Sequence, residues 1–307
     1  MRISSLYHSS AMLHQMNLNG GRLSKLMEQM ATQKRVNVPS DDPVASSRLV
    51  QLNREKAAID QYQNNITRLS GSLSTQEAHV TALSDQLLAL SDKLLAASNG
   101  TNSEKDMAGF GQEISLMLDS LVSVMNAKNE EGQYLFSGTK SNTQPVVWNA
   151  AAVPPQYEYK GNDATRSTTV ANGVAIDENV TIAGAFSSAG MTDLSMLNLL
   201  KSVSEQMQAP VPNGTLTADL KQLLGDVQAT SSNVAAIFTD LGGKQNRLSL
   251  LSDAHTDVKI AHEQVVQDLT GLDAATSYVN IQQFTQAVQA SNKSYMMISQ
   301  LSLFNQM

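Results

Sequence analysis

The chain has 307 residues, a formal net charge of −7, 16% charged and 5% aromatic residues, and no cysteine. The acidic balance, without any cluster of Lys or Arg, argues against nucleic acid or an anionic membrane as partner. The missing Cys removes disulfides, thiolate metal sites and cysteine nucleophiles, and no apolar run approaches the roughly 18 residues of a membrane span.

The first predicted element is a helix whose apolar face steps by three and four through Leu13, Met16, Gly20, Leu23, Met27 and Met30. The residues before it lack the continuous apolar segment of a cleaved signal peptide, so these signals alone suggest a cytoplasmic chain. The helix meets "KRVNVPSDDPVASSRL" (34–49), where Pro39 disfavours helix at Val38. Asp42 then stands at the N-cap of the next helix, with Pro43 pre-set at its first position. An acid–base pair needs two carboxylates in different environments around one substrate. Adjacent residues at a turn do not provide that, so Asp41 and Asp42 read as structural punctuation.

From Leu52 an apolar residue recurs at every seventh position: Leu52, Ile59, Ile66, Leu73, Val80, Leu87 and Leu94. A companion series three residues on runs Glu55, Tyr62, Leu69, Gln76, Leu83, Leu90 and Ala97. This heptad seam predicts one helix over about 44–98, on the order of 80 Å long. "SNGTNS" (98–103) ends it with a Gly-containing turn. Met107, Phe110, Ile114, Met117, Leu121 and Val124 mark the next helix.

Between about 140 and 190 the helical period vanishes. "QYEYKG", "RSTTVANG" and "ENVTIAGAF" read there as short strands with Gly or Asn turns. Helical patterning returns at Leu194, Leu197, Leu200 and Met207, breaks at "PVPNG", and resumes from Leu216. It continues through Leu248, Leu251, His255, Val258, His262, Val265, Leu269 and Leu272, drifts at Thr276 and Asn280, and closes on Phe284, Val288, Ser291, Tyr295 and Ile298.

These elements predict a mainly α fold: an elongated, antiparallel, coiled-coil-like helical bundle formed by both ends of the chain, with an inserted small β-rich domain. The predicted divisions are an N-terminal helical segment (1–42), the first half of the rod helices (43–139), the β-rich insert (140–190), the second half of the rod (191–275) and a C-terminal helical segment (276–307). The rod core is assigned to Leu52, Ile59, Ile66, Leu73, Val80, Leu87, Leu94, Leu269 and Leu272. The two end stripes, Leu13, Met16, Leu23, Met27 and Met30 with Phe284, Val288, Tyr295 and Ile298, are apolar on one face only. Ordering a residue costs roughly 1–2 kcal/mol of backbone entropy. Both ends are therefore expected to be disordered in the monomer and to form an assembly interface.

No constellation carries chemistry. His255 and His262 lie about 10 Å apart along a helix, too far to share one metal, and they read as polar seam positions. His8, His14 and His79 form no triad, and no phosphate loop or dinucleotide fingerprint is present. The expectation is a protein that is not an enzyme, with no catalytic residue, cofactor or metal. The residues by themselves also fit an unrelated coiled-coil surface or phage tail fibre protein.

Several blocks resemble the flagellin superfamily, in its hook–filament junction branch. They are "KRVNVPSDDPVASSRL", "NEEGQYLFSGTKSNTQP" (129–145), "LGGKQNRLSLL" (241–251) and the terminal "SYMMISQLSLFNQM", in the family's order. Filament flagellins of the superfamily resemble a form with Ala-Ala-Gly after the two aspartates; here Pro43-Val44-Ala45 follows. The resemblance implies an extracellular structural subunit of the flagellum, exported unfolded through the type III apparatus with an export chaperone and without a cleaved signal. It further implies partners in copies of itself, the preceding hook-associated junction protein and flagellin.

Overall fold

The structure is a computed structural model that describes residues 4–100, 102–187, 194–209 and 214–304; within these ranges the side chains of residues 4–6, 8, 9 and 298–304 are not described. The described elements are, in order, α1 (Ser4–Thr32), α2 (Pro43–Ala97), α3 (Glu104–Met125), β1 (Val146–Asn149), β2 (Gln156–Tyr159), β3 (Ser167–Ala171) and β4 (Val174–Asp177). A single 3-10 turn (Ala183–Phe186) precedes α4 (Ser195–Gln208), α5 (Leu216–Thr270) and α6 (Ala274–Phe304). The fold is mainly helical with a small antiparallel β part in its middle, as the change of period predicts.

The chain divides into two compact units, Ile59–His255 and the pair Met1–Ala58 with Thr256–Met307. In the Ile59–His255 unit, α2 and α5 run antiparallel. Tyr62 stacks on His255 with ring centroids 5.6 Å apart, and eight residues on Ser70 Oγ donates to Gln245 Oε1 at 2.8 Å. The seam of α2 is solvent-free here: Leu73, Val80, Leu83, Leu87 and Leu90 are all at 0% exposure. They pack in one cluster with Ile114, Leu118 and Leu121 of α3, Leu197, Leu200 and Val203 of α4, and Leu223, Val227 and Val234 of α5. Each such side chain contributes about 1.5–3 kcal/mol when fully buried.

The β part is two separate hairpins, β1 with β2 (Trp148 opposite Tyr157) and β3 with β4 (Thr168 opposite Ile176). An isolated two-stranded hairpin is marginal in water, and each exposes unpaired backbone edges. Side-chain carboxamides from the helices occupy those edges. Asn126, the C-cap of α3, accepts from Val146 N at 2.9 Å and donates to Val146 O at 3.0 Å. Asn198 of α4 does the same for Tyr157, at 2.6 and 3.2 Å. Gln76, a polar residue inside the α2 seam, donates to Glu178 O at 2.7 Å and accepts from Val180 N at 3.0 Å. His255 makes a 2.8 Å hydrogen bond with Val170 O and Asn65 donates to Thr169 O at 2.9 Å. A carboxamide carries one donor and one acceptor group in the geometry of a peptide unit, so Asn126 and Asn198 pin β1 and β2 as another strand would, while Gln76 holds the chain just past the end of β4.

Helix α3 begins at a capping box, in which Ser103 and Asp106 satisfy each other's backbone N–H. It packs closely on α4 at Gly111, where a Cβ would fall 2.8 Å from Ser204 O and 2.9 Å from Met207 Cβ. Two residues earlier, Gly109 has nothing within 4 Å of that position. Gly111→Val should therefore lower stability by about 1–3 kcal/mol through overpacking. Gly109→Ala should raise it by about 1 kcal/mol through helix propensity. Denaturant unfolding of the two variants beside the parent chain checks both signs.

Candidate assembly surface

The loop joining α1 to α2 is held by charge and by capping. Asp41 Oδ2 accepts the N–H groups of Asn37 and Val38 at 3.0 and 3.1 Å, while Oδ1 pairs with Lys25 Nζ of α1 at 2.6 Å. Pro39 lies in the turn closed by Asp41 N donating to Val38 O at 2.9 Å. Asp42 Oδ1 accepts Ala45 N–H at 3.0 Å, in the N-cap position, and Pro43 is the first residue of α2. Asp42 Oδ2 receives both terminal nitrogens of Arg35 at 3.1 Å. Arg35 also reaches the end of α5, donating from Nη2 to Leu269 O at 2.9 Å and from its backbone N to Thr270 O at 2.7 Å. Gln29 of α1 donates to Arg35 O at 2.6 Å. The loop thus ties α1, the start of α2 and the end of α5 together.

These contacts stabilise the ionised carboxylates. Asp41 falls from 3.8 to about 2, first through Lys25 and then through the two backbone N–H groups. Asp42 is lowered by the Ala45 amide and then by Arg35. Two carboxylates held ionised by separate partners have no shared proton to exchange, which is an arrangement for geometry and not for acid–base chemistry.

α1 packs against α6. Of the stripe residues picked by spacing, Met16, Leu23 and Met30 are half-buried, and so are Phe284, Val288 and Tyr295. Leu13 and Met27 are exposed at 42% and 52%, and the side chain of Ile298 lies outside the described residues. The inward face of α1 instead runs Met12, Met16, Asn19, Leu23, Leu26 and Met30. Two polar residues, Asn19 and Gln29, are buried on this helix. Among the described residues no apolar side chain of α1 or α6 is fully buried, and Val36, Ala45 and Leu52 are the buried apolar residues of their whole unit. Tyr7, Leu13, Leu18 and Met27 of α1 and Tyr278, Val279, Met296 and Met297 of α6 are exposed.

Along α2, Leu52, Ile59, Ile66, Leu73, Val80, Leu87 and Leu94 are all buried, at 8% exposure or less. Leu269 and Leu272 are half-buried. Leu272 lies past the end of α5, in the short link before α6, which Asp273 opens by accepting from Ala275 N and Thr276 N. On the same two helices Glu55 faces His262 at 3.4 Å and Lys56 faces Glu263 at 3.1 Å. Among the described residues no group of three or more His, Asp or Glu could hold a metal ion, and no helix is long and apolar enough to cross a membrane. Sequence spacing missed Lys25, Gln29 and Arg35, because a loop clamp has no period.

Residues 3–141 match the family model for the bacterial flagellin N-terminal helical region. The chain is similar to flagellar hook-associated protein 3 of Escherichia coli, with 29% identity over 96% of this chain and 98% of that protein. A solved structure from Vibrio parahaemolyticus, described as a flagellar hook-associated protein, shares 35% identity over 75% of this chain and 100% of that one, with a TM-score of 0.69. Flagellar hook-associated protein 3 from Legionella pneumophila shares the fold at 17% identity and a TM-score of 0.63, over 72% of this chain and 98% of that one. A flagellin of Clostridium tyrobutyricum aligns over 59% of this chain and 48% of that protein, at 24% identity.

The loop clamp has a pH signature. Because the folded value of Asp41 lies at about 2, below 3.8, its stabilising contribution is complete above 3.8 and is lost as pH falls through about 2. The difference in thermal midpoint between the parent and Asp41→Asn should therefore be largest near neutrality and close in strong acid. A difference independent of pH would contradict the ion pair with Lys25.

Proposed function

The chain belongs to the flagellar hook-associated protein family, and from that premise we propose that it is of the hook-associated protein 3 type, the structural subunit of the junction between hook and filament, polymerising through its terminal helices. The observation that carries this reading is the incomplete cover of α1 and α6: the two helices pack on each other, yet no described apolar side chain of either is fully buried. Ordering their 29 and 31 residues costs roughly 1–2 kcal/mol per residue of backbone entropy. A helix pair that leaves Tyr7, Leu13, Leu18, Met27, Tyr278, Met296 and Met297 exposed offsets that cost poorly. Neighbouring copies that bring further helices would supply the missing apolar surface, so folding of the ends is coupled to assembly.

The Ile59–His255 unit, by contrast, carries its own core and keeps its fold without neighbours. On this reading the subunit is extracellular. It passes unfolded through the flagellar type III apparatus with an export chaperone, and ends that do not fold alone suit a narrow channel. Absence of cysteine suits the same route, since no disulfide forms on the way. Its neighbours are copies of itself, the preceding hook-associated junction protein and flagellin. The higher identity with hook-associated protein 3, 29% against 24% for the flagellin, favours the junction over the filament.

Phe284→Asp with Val288→Asp places two charges on the inward stripe of α6. The main thermal transition should stay nearly unchanged, because these residues lie outside the Ile59–His255 unit. Cells whose own copy is replaced by this variant should carry hooks without filaments and shed flagellin into the medium. Full-length filaments on those cells would overturn the proposed role of the ends.

A further inference from the structure

We propose that Asn99, in the turn between α2 and α3, is a site of spontaneous deamidation that converts the end of α2 with age. Four Asn–Gly pairs occur in the chain: Asn19–Gly20, Asn99–Gly100, Asn172–Gly173 and Asn213–Gly214. In such a pair the backbone nitrogen of the glycine attacks the side-chain carbonyl carbon of the asparagine. A new C–N bond forms, the amide nitrogen leaves as ammonia with the proton from the glycine nitrogen, and a succinimide remains. Water then opens the ring at either carbonyl and leaves aspartate or its β-linked isomer. The step needs only water, an open approach to the glycine nitrogen and a backbone free to bring the two atoms together.

The structure separates the sites. Asn19 lies within α1, is buried, and accepts from Gln15 at 3.5 Å. The helical ψ of about −42° fixes its backbone. Asn172 sits in a hairpin turn closed by the pairing of Ala171 with Val174. Asn213 lies outside the described residues. Asn99 is exposed, lies beyond the last residue of α2, and among the described residues its carboxamide has no hydrogen-bond partner. A Cβ built on Gly100 meets nothing within 4 Å, as at Gly20 and Gly173, so the sites differ in how the asparagine is held and not in the space around the glycine.

The same turn holds the end of α2 together. Asn102 Nδ2 donates to Ala96 O at 2.8 Å and Ala97 O at 3.1 Å, satisfying carbonyls that a helix end leaves unpaired. The backbone N of Asn102 donates to Asn99 O at 3.3 Å. A carboxylate at residue 99 sets negative charge beside the negative end of the α2 dipole. The β-linked isomer also lengthens the main chain by one carbon between residues 99 and 102, which displaces Asn102 from the two carbonyls. The turn walls a cavity of about 420 Å³ whose apolar side is Met107, Leu216, Leu220 and Leu224, so conversion loosens that wall as well.

The test incubates the purified full-length chain in mildly alkaline buffer at physiological temperature and maps its peptides by mass and chromatography, beside the variant Gly100→Ala. The Asn99 peptide should gain the mass of an amide-to-acid exchange and split into two isomers, at least severalfold faster than the peptide holding Asn172, which lies in the unit that folds alone. In denaturant these rates should converge, because the fold is what separates them. Gly100→Ala, which the open space accommodates, should slow conversion at Asn99 at least severalfold and leave the thermal midpoint unchanged. Asn99 remaining an amide while Asn172 converts would overturn the proposal, as would equal rates at Asn99 in the parent and in Gly100→Ala.

Discussion

The constraint on which the rest depends is the apolar strip of α2. A helix with apolar side chains at every seventh position, and a second row three residues on, must meet other helices along that strip or leave it in water. Between Ile66 and Ala97 the strip is met by α3, α4 and α5, and its leucines are at 3% exposure or less. The remaining helices of that unit are placed by this requirement. α3 and α4 approach each other closely enough that Gly111 has no room for a side chain.

A helical core of this kind offers nothing to a sheet edge, and the hairpins are held by a different device. Asn126 and Asn198 each present a peptide-like donor and acceptor to one strand residue, and Gln76 does so to residues 178 and 180 just past β4. Gln76 shows the trade involved. It occupies a seam position where leucine would pack, and at 1% exposure it would be destabilising without partners. The backbone of 178 and 180 satisfies it, so the polar interruption of the seam is also the point where the β part is fixed.

The fold class was legible because its signals are periodic. Leu52 to Leu94 repeat by seven, which no loop or strand imitates over that length, and the loss of period after 140 marks the β part. The "PSDDP" turn was legible because proline and an N-cap residue act locally. The phase of α1 was less so. Counting apolar residues favours Leu13 and Met27, whereas the helix turns inward on Met12, Leu26 and a buried Asn19. A polar residue in a seam is invisible to a count of apolar ones. The Arg35 clamp was not legible at all, since Leu269 O lies 234 residues away in sequence and is a backbone atom with no residue signature. The same holds for the carboxamide anchors, because Asn and Gln are common in this chain and only the strand they face distinguishes them.

The two units differ in one physical respect, and the proposed function rests on it. One has a dry core and the other has three buried apolar residues, Val36, Ala45 and Leu52, among those described. Amide hydrogen exchange on the purified monomer tests this most directly. The account predicts strong protection for α2 beyond Ile66, α3 and α4, with fast exchange across α1 and α6 that slows once the subunit is assembled. Strong protection of α1 and α6 in the isolated monomer, equal to that of α3, would show that the ends fold alone and would contradict assembly-coupled folding.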